Sequence, residues 1–127
     1  MSSSFKIRYN ASSRIVRVLF LGPAGMETQL RAGRHLVERF RHHGRLKILV
    51  DSRHADVSLS AREQEVLAGF VQEQPVLLRA RLAVLYPDGV NAVVSLVERL
   101  ARAGQDARFF ASEAAAVEWL NSREPVS

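Results

Sequence analysis

The run Arg45-Leu46-Lys47-Ile48-Leu49-Val50-Asp51 limits what this chain can fold into more than any other stretch. It is short, apolar and rich in β-branched residues, it follows Gly44, and it closes on an acid. That pattern predicts a buried strand. A long helical pattern ending at His42-His43 precedes it, and a polar loop from Ser52 to Leu59 leads into a second helix. Helix, strand and helix in succession are the repeating unit of an α/β domain. Asp51 and Ser52, at the carboxyl end of the strand, are placed to meet a ligand or partner.

Upstream, Phe5, Ile7 and Tyr9 alternate with Lys6 and Arg8, the period of a half-buried strand. Asn10-Ala11-Ser12-Ser13 supplies turn chemistry before Arg14 to Leu21, so the two runs predict a hairpin. Gly22-Pro23-Ala24-Gly25 breaks the second strand. A helix to Arg41 follows, with Thr28 or the preceding loop as its cap. Leu30, Gly33, Leu36, Val37 and Phe40 should face the sheet, Gly33 allowing close approach of helix and strand.

Downstream, Ser60-Ala61-Arg62-Glu63 matches a capping box. The helix it opens should bury Val66, Leu67, Phe70 and Val71, and Pro75 should stop it. Arg81 to Tyr86 is another buried strand, followed by the turn Pro87-Asp88-Gly89. A third helix has its stripe at Val90, Val93, Val94, Val97, Leu100 and Ala101, and Gly104 ends it. Asp106 to Phe110 forms the last strand, and Ser112 caps a last helix bearing Val117, Trp119 and Leu120. The expected architecture is α/β, one domain over residues 1–127 with an ordered core of about 5–121. It has a mixed five-stranded sheet and four principal helices in the order ββαβαβαβα.

Composition narrows the function classes. The chain has no cysteine, which excludes a disulfide framework, a thiolate zinc site and a cysteine nucleophile. No stretch reaches the roughly 20 apolar residues of a membrane span, and Met1 to Arg8 lacks a signal-peptide core, so a soluble cytoplasmic protein is expected. The net charge of +5 favours anionic partners, but the charges are scattered singly. Phe5, Phe20, Phe40, Phe70 and Phe109 all fit core positions, leaving no aromatic platform for nucleic acid. Asp51, His54 and Asp56 match no metal-ligand spacing, and Ser52 beside them lacks a nucleophile elbow. Neither a Walker loop nor a dinucleotide fingerprint follows a strand, so no cofactor is expected.

Three stretches together resemble the STAS and SpoIIAA-like superfamily, the anti-sigma-factor antagonist fold, in its divergent SpoIIAA-like branch. They are Lys47 to Asp51, Arg81 to Tyr86, and the ending Gly104 to Ser112 with Ala115 to Leu120. The resemblance implies strands in roughly sequence order, no cofactor and no catalytic site. It implies a protein partner such as an anti-sigma or kinase-like regulator. It also implies a phosphorylatable serine at the start of the helix after the central strand. Counting from Asp51, Ser60 lies closest to that position and Ser58 is nearby, although the paired serines and glycine of the family motif are absent.

The expected function is therefore a non-enzymatic signalling module that binds a protein partner. Its expected site is the surface around Asp51, Ser52, Ser58 and Ser60, bordered by Tyr86, Pro87 and Asp88. The alternative is a carrier of an apolar or lipid-like ligand, which a cavity lined by Phe40, Phe70 and Leu85 would favour. With charges on its first strand, the chain should be a monomer or at most a weak homodimer.

Overall fold

Asn10 shapes the first hairpin: its side-chain oxygen accepts hydrogen bonds from the amides of Ser12 at 2.9 Å and Ser13 at 3.2 Å. Arg14 then takes a left-handed φ of 60° before the chain reverses. The hairpin joins β1 (Ser4–Asn10) to β2 (Ile15–Pro23), which pair antiparallel as the alternation predicts. The computed structural model describes residues 4–86 and 91–122. After the hairpin come α1 (Met26–Phe40), β3 (Lys47–Asp56), α2 (Ala61–Glu73) and α3 (Pro75–Leu78). The chain continues through β4 (Arg81–Leu85), α4 (Asn91–Arg102), β5 (Asp106–Phe110) and α5 (Glu113–Asn121). The five strands lie in sequence order, and β2 to β5 are mutually parallel. The expected mixed α/β sheet with four principal helices is thus the observed architecture, with α3 as an additional single turn.

Period two assigns the faces of the sheet. Val16, Val18, Phe20 and Ile48 point to α1, and Val84 to α4, with α2 between these two helices. Ile15, Leu49, Ala83 and Leu85 point the other way, where α5 seats Ala116 and Leu120 on them. Each fully buried leucine or valine here contributes roughly 1.5–3 kcal/mol. On the α5 side, Arg81 is only 5% exposed. It reaches the carbonyl oxygens of Trp119 at 2.6 Å and Ser122 at 3.0 Å, pairs with Asp106 at 3.1 Å, and lies over the Trp119 ring. This cluster fastens the end of α5 to the sheet.

Several local expectations need correction. α1 is capped by Gly25 without a side-chain bond, and Thr28 is buried within the helix. The centre of its inward stripe is Thr28, Ala32, Leu36 and Phe40, leaving Leu30 and Val37 half-buried at the flanks. Gly33 faces α2 rather than a strand: a Cβ there would lie 2.7 Å from Phe70 Cε2. On α2 the buried residues are Gln64, Leu67 and Ala68, while Val66 is exposed. The Pro75 expectation, by contrast, holds: α2 ends at Glu73 ahead of Pro75, which then occupies the first turn of α3, where its missing amide costs nothing. Phe109 is 37% exposed and packs edge-on against Tyr86, and Ala101 is exposed.

Candidate functional site

The central strand runs five residues beyond Asp51, through Asp56, so the predicted loop of 52–59 shrinks to 57–60. Leu19 pairs with Asp51 and Leu21 with His54, so β3 advances three residues while β2 advances two. This bulge lies at Ser52 and Arg53 and lets the strand re-aim its side chains. The polar residues read as a loop from Ser52 to Asp56 instead belong to the strand, with Ser52 and Arg53 in the bulge and His54 to Asp56 paired to the end of β2.

Asp51 and Ser52 consequently point to opposite faces. Asp51, 3% exposed, lies on the α5 side. Its Oδ1 accepts from the Arg53 amide at 3.1 Å and Nε at 3.0 Å, and its Oδ2 accepts from Arg53 Nη2 at 2.9 Å. Arg53 also reaches Glu113 of α5 at 2.9 Å. Arg17 of β2 is hydrogen-bonded to Glu113 and stands 3.9 Å from Asp51. Burial pushes the Asp51 carboxyl up, but the hydrogen bonds and charge of Arg53, aided by Arg17, hold it net below the usual carboxylate range. Arg53 is held more firmly protonated, chiefly by its hydrogen bond to Asp51. Two arginines and two carboxylates at these distances form a structural clamp between β2, β3 and the start of α5.

Ser52, 4% exposed, faces the other layer. It lines an apolar cavity of about 120 Å³ with Val18, Phe20, Leu67, Val84 and Val97, joined by Gln29. The expected cavity lining does not form: Leu85 lies across the sheet from Phe40 and Phe70, and none of the three lines this space.

Ser58 and Ser60 are exposed on either side of buried Leu59, whose side chain reaches the cavity wall. Ser60 caps α2: its hydroxyl accepts from the Glu63 amide at 3.1 Å, and Glu63 Oε1 accepts from the Ser60 amide at 2.9 Å. Tyr86 is half-buried beyond the end of β4, its amide donating to the Phe110 carbonyl at 3.4 Å. Pro87 and Asp88 lie outside the described residues. The structure therefore brings Ser58 and Ser60 onto one rim, with Ser52 beneath it and Asp51 on the opposite face. Among the described residues no group of three or more His, Asp or Glu side chains is placed to hold a metal. No helix there is long and apolar enough to cross a membrane.

Sequence reasoning missed Arg17 and Glu113, and it offered Arg53, with Arg62, as a cation for a phosphate on Ser58 or Ser60 rather than as the partner of Asp51. The parity of Arg17 with Leu19 along β2 put it on the α5 face, but only the β2–β3 register sets it beside Asp51.

No protein-family model and no curated protein matches the chain. Solved structures do. One is an uncharacterized protein of the DUF3478 family with a SpoIIAA-like fold from Shewanella loihica PV-4. It has a TM-score of 0.59 and 14% identity, with 93% of each chain covered. Another is the anti-sigma factor antagonist SpoIIAA in its unphosphorylated form. It has a TM-score of 0.60 and 10% identity, covering 94% of this chain and 100% of that one. The chain has a SpoIIAA-like fold, as the three resembling stretches imply.

Proposed function

We propose that the chain is a non-enzymatic, cytoplasmic regulatory module that binds a protein partner through the rim at Ser58 and Ser60. The observation behind this reading is the way the rim is held. Two exposed serines flank a buried leucine, between the end of a paired strand and a fully formed capping box. Such a segment offers a partner a fixed surface with little ordering cost. Tyr86 borders it, Ser52 supports it from below, and Asp51 fixes the strand that leads into it. The likeness to SpoIIAA, an anti-sigma factor antagonist, supports a regulator of the anti-sigma or kinase-like class as the partner.

A phosphate on this rim would draw on the free amides of α2 and on Arg62 of its first turn. Arg53 is unsuited to that role, because it is engaged by Asp51 and Glu113 on the other face. The Ser60 hydroxyl is occupied as a cap, so Ser58 is the better acceptor. The test is capture of a partner by the wild-type chain, followed by affinity measurement with Ser58→Asp and Ser60→Asp. The expected result is weaker binding for Ser58→Asp in a fully folded protein. Equal affinity for both variants and wild type would remove the rim as the recognition surface.

The cavity favours a second reading, a carrier of a small apolar ligand. Its volume of about 120 Å³ approaches that of cavities of roughly 150 Å³ that bind benzene. Native mass spectrometry of the purified protein tests this: a bound mass lost in Val97→Trp supports the carrier, and an empty wild-type protein opposes it. With Lys6 and Arg8 charged on its β1 edge strand, the chain should self-associate weakly at most.

A further inference from the structure

The two faces of the sheet are not packed equally well at their centre. On the α5 face, Leu49, Ala83 and Leu85 are fully buried. On the other face of the same two strands, Val50 and Leu82 are only half-buried. The surface they leave uncovered belongs to the cavity of about 120 Å³, which Leu67 of α2 and Val97 of α4 wall from above. Alternate residues of β3 reach one face, so Ser52 follows Val50 into this space, at the bulge where pairing to β2 is interrupted. Ser52 is almost fully buried, yet its hydroxyl makes no hydrogen bond among the described residues. Buried hydroxyls are ordinarily satisfied, so this one calls for a partner. Gln29 is the other polar residue of the lining. Its Nε2 donates to the Ala24 carbonyl at 3.1 Å, which leaves Oε1 as an acceptor without a partner among the described residues. The remaining described lining is apolar or glycine, and none of it is charged.

Resting on the second reading, of the chain as a carrier of a small apolar ligand, we propose that this ligand is a neutral amphiphile with a single hydroxyl group. Its hydroxyl is held at Ser52, and its hydrocarbon body lies along Val50, Leu82 and Val97. Neutrality follows from the lining, because an ionised carboxylate or ammonium would give up its hydration and find no counter-charge. The single hydroxyl follows from the two polar groups: it can accept from Ser52 Oγ and donate to Gln29 Oε1. A pure hydrocarbon leaves both of those groups unpaired, and a polyol leaves its own surplus hydroxyls unpaired among aliphatic side chains. Water fills such a space poorly, since each molecule needs about two to four polar partners. The volume suits one six-membered ring, by comparison with the cavity of roughly 150 Å³ that binds benzene. Asp51 and Arg53 lie across the sheet and take no part.

The probes are phenol, benzene and benzoate, each a single ring, titrated at pH 7 into isotopically labelled protein and followed by amide chemical shifts. Phenol and benzene should both shift residues of the cavity wall, and benzoate should shift none. In Ser52→Ala, phenol should bind about tenfold more weakly while benzene binds as before. The variant should unfold at no lower temperature than wild type, because the hydroxyl it removes has no partner to lose. Equal effects of Ser52→Ala on phenol and benzene would overturn the proposal and leave the carrier reading standing. Binding of benzene without phenol, or of benzoate as tightly as phenol, would do the same. Earlier unfolding of the variant would also overturn it, by making Ser52 a structural residue. Wild-type protein that binds neither phenol nor benzene would overturn the carrier reading and the proposal together.

Discussion

Asp51 and Arg53, two residues apart on one strand, are joined by three hydrogen bonds, one from the backbone amide and two from the guanidinium. Neighbours two apart normally share a face without meeting so closely, and the bulge in β3 brings this pair together. The carboxylate is buried while the guanidinium is about a third exposed. The pair thus keeps a charge inside the sheet with its partner open to water on one side. Asp51→Asn removes the charge and half of the acceptor set, and should cost about 2 kcal/mol in urea unfolding.

The same pair gives a pH signature. The Asp51 carboxyl is depressed in the folded state, so its contribution is present above its unfolded value of about 3.9 and is lost as pH falls through the lower folded value. Wild-type stability should therefore fall on acidification below about pH 5, and Asp51→Asn should flatten part of that limb. Identical acid limbs in the two proteins would show that other carboxylates control acid unfolding.

Gly33 and Phe70 set the approach of α1 to α2. A methyl group at Gly33 gains about 1 kcal/mol of helix propensity but enters a 2.7 Å contact with the Phe70 ring. Overpacking of that kind costs about 1–3 kcal/mol, so Gly33→Ala should be net destabilising by about 1 kcal/mol. Adding Phe70→Leu should recover that loss, giving a coupling in a double-mutant cycle that two independent sites would lack.

Arg81 and Trp119 supply a third test, with the single tryptophan of the chain as its reporter. The guanidinium serves Asp106, two carbonyl oxygens and the indole face at once, 4.3 Å from the ring centre. An ammonium cannot reproduce that planar fork. Arg81→Lys should cost about 2 kcal/mol and shift the tryptophan emission to the red as the end of α5 loosens.

Much of this architecture is legible in the sequence because period two and period 3.6 survive in single stretches. Phe5 to Tyr9 and the Val93, Val97, Leu100 stripe show this directly. The capping box at Ser60 and Glu63 was legible for the same reason, since its partners are three residues apart. What stayed hidden depends on register. The extension of β3 through Asp56 is stabilised by pairing with β2, which overrides the loop-like composition of Ser52 to Asp56. The division of Asp51 from Ser52 follows from that extension. The clamp to Glu113 joins residues 60 and 96 positions apart, a separation no local pattern encodes.

Ser60 offers the last test, because its roles as cap and as recognition element predict different outcomes. Its hydroxyl and the Glu63 carboxylate satisfy two amides that α2 would otherwise leave open. Ser60→Ala should therefore cost about 1 kcal/mol, while Ser60→Asp should be nearly neutral because aspartate caps as well as serine. Ser58 takes part in no hydrogen bond among the described residues, so Ser58→Ala and Ser58→Asp should leave unfolding unchanged. Chemical denaturation of the four variants reads this directly. A stability loss in Ser58→Ala equal to that in Ser60→Ala would mean that the rim is built by both serines. Ser58 would then no longer be free to serve a partner without disturbing the fold.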